Sequence, residues 1–412
     1  MSKVPIHGTA APLRTQLGQR SQPDKVSIAE IVREHGAPFH QYHHPSARQR
    51  AVLRDIARCR TAALGGHREQ CENCGESQIL YRSCGNRHCP QCQSLPQAKW
   101  RDAQQALLLP VPYFHVVFTL PHDLNALIRS NPQQLYALLF GCVIATLREF
   151  SRDPKHLGAE LGMTAVLHTW GQNLSEHVHL HLIVTGGGLD AAGDRWVASK
   201  SPRFLFPVKA LSKLFRGKFL AMLCRLRECG KLRFAASCQT LDQDAPWDAL
   251  VVKLRRTKWV VYAKPPFAGP AQVLNYLSRY THRIAISNER ILSLRNGTVR
   301  FSYKDYAHGN SKKVMELPAL EFLRRFLLHV VPRGFVRVRH YGILANCHRA
   351  QRLARCRELL GQNHISPSPA TTEALADSVQ RLLGIDISRC PHCGQGPLRT
   401  VELLPPQPID TS

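Results

Sequence analysis

Residues 176 to 188 read "EHVHLHLIVTGGG". His177, His179 and His181 alternate there with Val178, Leu180 and Leu182. Residues two apart on a β-strand point to one face, so the stretch is read as a strand with three imidazoles on one side and an aliphatic row on the other. The aliphatic row commits its side to a core. A single strand histidine is ordinarily a core residue with a satisfied hydrogen bond. Three on one face, with His168 shortly before them, each demand a donor and an acceptor partner, and ligation of one divalent cation meets that demand.

The surrounding sequence supplies further strands. "YFHVVFTLP" (113–121), "MTAVLHTW" (163–170) and "KWVVYAKPPF" (258–267) are β-branched and aromatic runs, and "RILSLRNGTVRFSY" (290–303) reads as a hairpin turning at Asn296-Gly297. Helical spacing marks "PQQLYALLFGCVIATLREF" (132–150), "PAQVLNYLSRYTHRIA" (270–285), "LEFLRRFLLHVV" (320–331) and "HRAQRLARCRELLG" (348–361). Between Ser27 and Arg60 two short helices are expected, broken around "GAPFHQYHHPS" (36–46). Hairpins mixed with helices predict an α+β fold, an antiparallel sheet flanked by helices, rather than a doubly wound parallel one. The expected domains are a flexible basic arm over 1–26, a zinc-binding DNA-recognition domain over 27–108, a catalytic domain over 109–340 and a helical C-terminal region with a zinc knuckle and a loose tail over 341–412.

The chain of 412 residues carries 55 Lys and Arg against 29 Asp and Glu, a formal charge of +26. A surplus of that size favours a polyanionic partner, because neutralising phosphates releases counterions. It clusters in runs such as "RLRECGKLRF" (225–234) and "VKLRRTKW" (252–259). No membrane-length apolar run and no signal-peptide pattern is read, so a cytosolic, nucleoid-associated protein without a membrane partner is expected. In that reducing setting close Cys and His spacing points to metal rather than disulfides.

The segment 59–93 reads "CRTAALGGHREQCENCGESQILYRSCGNRHCPQCQ". Two Cys-x-x-Cys pairs, Cys71/Cys74 and Cys89/Cys92, are fourteen residues apart and fit a tetrahedral zinc site of four cysteines. Cys59, His67, Cys84 and His88 are candidates for a second, interleaved site, against a reading as buried thiols and surface histidines. A further knuckle, Cys390/Cys393, needs partners from elsewhere. His348 and Cys356 are the nearest, with Cys347 as a substitute. Closed four-cysteine shells leave no place for substrate, so this zinc is expected to be structural.

Tyr276 and Tyr280, four apart, share one helix face beside Arg279, His282 and Arg283. Periodicity alone favours core tyrosines with hydroxyls at the rim. A tyrosine nucleophile would need cations that stabilise phenolate and a polarised electrophile.

Together the histidine strand, the Tyr-x-x-x-Tyr helix and the cysteine knuckles resemble the HUH endonucleases, and more fully the two-tyrosine rolling-circle transposases of the insertion-sequence ninety-one group. The motifs carrying the resemblance are "RTAALGGH", "CENC", "SCGNRHCPQCQ", "FHVVFTLP", "HTWGQNLSEHVHLHLIVTGGGL", "YLSRYTHRIAISNERI" and "RHYGILAN", in this order from about residue 27 to 395. The resemblance implies an HUH-type antiparallel sheet preceded by a zinc-binding domain. His179 and His181 would hold Mg2+ or Mn2+, with His177, Gln172 or His168 as third ligand. Tyr276 and Tyr280 would be the nucleophiles and Arg279 and Arg283 DNA contacts. Val178 stands where the family commonly has proline. The implied activity is nicking and rejoining of single-stranded DNA at transposon ends through a 5′-phosphotyrosine. Alternatives are a plasmid replication initiator or relaxase with the same chemistry and a non-catalytic zinc-dependent DNA-binding regulator.

Overall fold

The computed structural model describes residues 26–201, 203–264, 272–273, 284–305, 309, 311–362 and 374–408. Tyr276, Tyr280, Arg279, His282 and Arg283 lie outside the described residues.

The described residues open with helices α1 (Ile28–His43) and α2 (Ala47–Arg58), each started by a capping box, Ser27 with Glu30 and Ser46 with Gln49. The sequence predicted a break from residue 36 onward. Instead α1 runs through Pro38 to His43 and stops where His44 turns left-handed at φ 42°, just before Pro45. Its buried row Ile28, Ile31, Val32 and Phe39 keeps one apolar stripe across the proline and carries the helix past it. Strands β1 (Gly66–Cys71) and β2 (Ser77–Tyr81) form a hairpin, followed by α3 (Ser94–Gln105).

The central sheet follows. It uses β3 (Tyr113–Thr119), β4 (Glu160–Trp170), β5 (Glu176–Leu189), the short β6 (Trp196–Ala198), β7 (Val261–Lys264) and β11 (Val338–Gly342), in the order β11-β4-β5-β3-β7 with β6 beside β5. Every pairing is antiparallel. Helices α4 (Asn125–Ser130), α5 (Pro132–Arg152), α6 (Val208–Glu228) and α7 (Asp244–Arg256) cover one face. Alternation decides the faces: Phe114, Val116 and Phe118 of β3, Met163, Ala165 and Leu167 of β4, and Val178, Leu180 and Leu182 of β5 enter the core under these helices. Their neighbours His115, His168, His179 and His181 therefore look the other way.

Strands β8 (Ile291–Arg295), β9 (Thr298–Asp305) and β10 (Ser311–Pro318) make a separate meander ending in helix α8 (Ala319–Leu327). The β8–β9 turn falls on Asn296 and Gly297, with φ of 48° and 70°, the left-handed pair that the sequence predicted. Phe301, Phe322 and Phe326 share one core with Ile28, Ile31, Val52, Leu53 and Ile56. The N-terminal helices thus bury their apolar stripe on this meander. Helices α9 (Arg349–Leu359) and α10 (Leu375–Leu383) precede the last strand, β12 (Leu398–Leu404), which returns to pair with β1.

The basic runs at 225–234 and 252–259 lie at the C-terminal ends of α6 and α7, on the helical layer. There Arg225, Arg227, Lys253, Arg255 and Arg256 stand in the last turns of their helices, where positive charge complements the helix dipole. Arg227 pairs with Asp244 and Lys253 with Asp123. The "TGGG" after the histidines serves backbone packing: a Cβ on Gly188 would stand 2.1 Å from the Glu160 carbonyl oxygen of β4.

Candidate active site and metal centres

His168, His179 and His181 meet on the open face of the central sheet, their ligand nitrogens all within 4.8 Å of one another. Strand register brings them together, since His168 of β4 stands opposite His179 of β5 and His181 lies diagonally beyond, with ring centroids 4.6 Å from His168. The Nε2 atoms of His179 and His181 are 2.9 Å apart. Two nitrogens each about 2.1 Å from one cation and at a right angle would be separated by about 3.0 Å.

The outer ring nitrogens are anchored. His179 Nδ1 lies 2.6 Å from the His177 carbonyl oxygen, which fixes a proton on Nδ1 and turns the Nε2 lone pair into the cluster. His181 Nδ1 lies 2.9 Å from His115 Nε2, the two rings stacked at 10°. Burial, with Lys264 and His179 nearby, pushes His115 down to about 3, so it is neutral at physiological pH and able to accept from His181. His168 stacks on Trp170 at a centroid distance of 4.6 Å. Two imidazoles with Nδ1 held and Nε2 atoms facing each other, beside a third ring, fit a divalent cation.

The other predicted third ligands fall elsewhere. The β3–β5 register ends at Thr119 opposite His179. His177 lies one step beyond that end and meets His122, its Nδ1 3.1 Å from the partner's Nε2. Gln172 sits in the turn between β4 and β5, where its main-chain carbonyl accepts from Arg290. In the sequence His115 reads only as one member of a strand. Its one signal was its place two residues from Val117, the residue opposite His181.

The cysteines sort differently from the sequence expectation. Cys59, Cys84, Cys89 and Cys92 form one cluster, and Cys71 and Cys74 join Cys390 and Cys393 in another. The hairpin is the reason the expected Cys71/Cys74/Cys89/Cys92 set does not assemble. Cys71 closes the tip of β1, five residues on from Gly66, so roughly 17 Å of strand separates it from the chain near Cys59 and Cys84. Within the first cluster Cys59 and Cys92 sulfurs are 3.5 Å apart and Cys84 and Cys92 sulfurs 3.7 Å. Cys59 and Cys89 are fully buried against Ile56 and the N-terminal core. Hydrogen bonding among these thiols holds Cys59 below its usual range, Cys84 and Cys89 being the first causes, and the thiols of Cys59, Cys84 and Cys89 drive Cys92 far below it. A closed set of four convergent cysteines of this kind suits structural zinc.

Neither histidine proposed for that segment joins it. His67 Nε2 bonds Glu69 Oε1 at 3.0 Å. His88 is buried, and desolvation pushes its pKa well down, with Arg337, Arg48 and Arg87 adding to the effect. At the other end Cys356 is a core thiol beside Leu353 and Ile343, raised to about 11 by burial, while His348 and Cys347 are exposed. No described helix is long and apolar enough to cross a membrane.

Comparison with known proteins gives a transposase zinc-binding domain over residues 31–120 and a domain described as "Putative transposase" over 162–352. The first spans the four cysteines of the buried cluster and the second the three clustered histidines. The chain is 48% identical over 402 residues to "Putative transposase y4qJ" of Sinorhizobium fredii, covering 95% of this chain and all of that one. It is 29% identical to the transposase for insertion sequence element IS801 of Pseudomonas savastanoi pv. phaseolicola, over 82% of this chain and 79% of that one. No solved structure matches it. Two domain matches in the expected order and full-length similarity to a transposase place the chain: it belongs to the insertion-sequence ninety-one family of transposases.

Proposed function

We propose that this transposase nicks and rejoins single-stranded DNA at insertion-sequence ends by tyrosine attack, in rolling-circle transposition. The observation that carries the reading is the His168, His179 and His181 cluster at the centre of an antiparallel sheet. These residues would hold Mg2+ or Mn2+, and such an ion supplies charge neutralisation and polarisation at a phosphate. The protein's own work is to keep that donor set rigid: the His177 carbonyl and His115 hold the two β5 rings in one tautomer and one orientation.

The nucleophiles are assigned to Tyr276 and Tyr280 on family resemblance. In support, Val273, three residues before Tyr276, is fully buried in a cluster with Tyr113 and Ile183. Those two residues lie on the histidine face of β3 and β5. A tyrosine oxygen attacking phosphorus in line forms the O–P bond while the 3′-oxygen departs and takes up a proton. The products are a 5′-phosphotyrosine and a 3′-hydroxyl, and the reverse reaction with another 3′-hydroxyl rejoins DNA without an outside energy source. Two tyrosines suit two successive transfers. The zinc module and the basic surface would bind the DNA, Arg279 and Arg283 close to the cleaved strand.

A test incubates the full chain with single-stranded oligonucleotides carrying insertion-sequence ends and Mn2+ or Mg2+. Wild type should yield a covalent protein–DNA adduct, which His179→Ala or His181→Ala should reduce at least 100-fold with zinc content unchanged. The Tyr276→Phe/Tyr280→Phe double variant should form none. An adduct surviving in the double variant would place the nucleophile elsewhere, and full cleavage by both histidine variants would remove the metal assignment.

A further inference from the structure

Cys71 and Cys74 close the tip of the β1–β2 hairpin, and Cys390 and Cys393 lie in a turn shortly before β12. The two turns are built alike. In each, the residue after the second cysteine donates its amide to the first cysteine's carbonyl, Gly75 to Cys71 at 3.0 Å and Gly394 to Cys390 at 2.9 Å. In each, the amide two residues on donates to the first sulfur, Asn73 to Cys71 and His392 to Cys390, both at 3.4 Å. Across the pair, Cys71 and Cys393 sulfurs stand 3.7 Å apart and Cys74 and Cys390 sulfurs 3.8 Å. Four thiolates about 2.3 Å from one tetrahedral zinc are about 3.8 Å from each other, whereas a disulfide draws its sulfurs to about 2.05 Å. The site also leaves no room for a side chain at Gly396, whose Cβ would stand 2.5 Å from Cys71 Sγ.

We propose that Cys71, Cys74, Cys390 and Cys393 bind a second zinc ion, distinct from that of Cys59, Cys84, Cys89 and Cys92, and that this ion staples β12 onto the N-terminal hairpin. The transposase zinc-binding domain matched over 31–120 contains only two of the four ligands. Their partners come 316 and 322 residues later for the two closest sulfur pairs. The N-terminal module is therefore completed by the C-terminal part of the chain, and a fragment ending near residue 120 cannot fill this site.

The need for a metal follows from the sheet itself. A two-stranded hairpin is marginal alone, and β12 makes it three-stranded in a register running from Gly66 opposite Leu404 to Cys71 opposite Leu398. That sheet buries little apolar surface: Ile79, Val401 and Leu403 are all exposed. Two half-exposed ion pairs, Arg68 with Glu402 and Arg381 of α10 with Asp102 of α3, add little to its stability. Metal ligation supplies the cohesion that the core does not.

The test is zinc stoichiometry on the full chain by mass spectrometry of the eluted metal. Wild type should hold two zinc ions and Cys390→Ser/Cys393→Ser one, with the 374–408 segment becoming the first site of limited proteolysis. Cys390→His, which keeps a tetrahedral ligand, should restore the second ion and the protection. Two ions in the double variant, or one ion in both wild type and double variant, would overturn the proposal. Should the double variant not fold, alkylation of zinc-loaded wild type decides: Cys390 and Cys393 should resist iodoacetamide until a chelator is added, and immediate labelling of both would overturn it.

Discussion

At the level of single residues, the histidine face depends on groups that touch no substrate. His115 stacks on His181 with its Nε2 2.9 Å from His181 Nδ1, a contact that would fix the tautomer of a proposed metal ligand. His115→Ala should therefore raise the Mn2+ concentration needed for half-maximal nicking by about 10- to 100-fold, with activity recovered at saturating metal. An unchanged metal dependence would show His115 to be a packing residue only. His329 lies deeper still, between the Thr169 hydroxyl and the Leu174 carbonyl, and burial lowers its pKa to about 4. An unfolded imidazole takes its proton near 6.5, so between these values protons favour the unfolded chain. The stabilisation is complete above pH 6.5 and is lost progressively as the pH falls toward 4, about 2 kcal/mol of it by pH 5. Thermal melts from pH 7.5 to 5 should show His329→Gln losing less stability on acidification than wild type. Parallel curves for the two proteins would contradict the assignment. The central pair was legible because period-two alternation is local. The third histidine was not, because choosing among His168, His177 and Gln172 requires the β4–β5 register.

Among the elements, most strands and helices follow from patterns within a few residues. The helical spacing after Ser27, the Asn296-Gly297 turn, the β-branched runs of β3 and β4 and the alternation in β5 each place an element correctly. The exception in α1 is instructive, since an unbroken apolar stripe outweighed an internal proline. What local pattern does not show is which apolar stripes meet. Helices α1 and α2 and the meander of β8, β9 and β10 share one core although more than 200 residues separate them, and Cys59 and Cys89 sit in it. Removing the buried zinc through Cys59→Ser/Cys92→Ser should therefore loosen both regions together. Hydrogen exchange would show residues 28–58 and 291–327 losing protection as one unit, while β4 and β5 keep theirs. Independent exchange of the two regions would mean that the shared core is not cooperative.

Across the molecule, the central sheet divides labour between its faces. One is sealed by α4, α5, α6 and α7, and the other presents imidazoles. The +26 charge favours a polyanionic partner, yet two of its densest runs lie at the ends of α6 and α7 on the sealed side. The α+β class, the histidine strand and the presence of cysteine knuckles could be read from the chain alone, because each is written in short-range spacing and residue chemistry, and the family followed from the resemblance of its motifs in their order. How the ligands are grouped had to wait for the folded molecule. A Cys-x-x-Cys pair states that two thiolates face one ion, and is silent on which other pair completes the shell. That choice depends on where β1 ends, on β12 returning to its edge, and on the register that sets His168 against His179. Pairings across hundreds of residues are fixed by the packing of whole elements, and no local spacing encodes them.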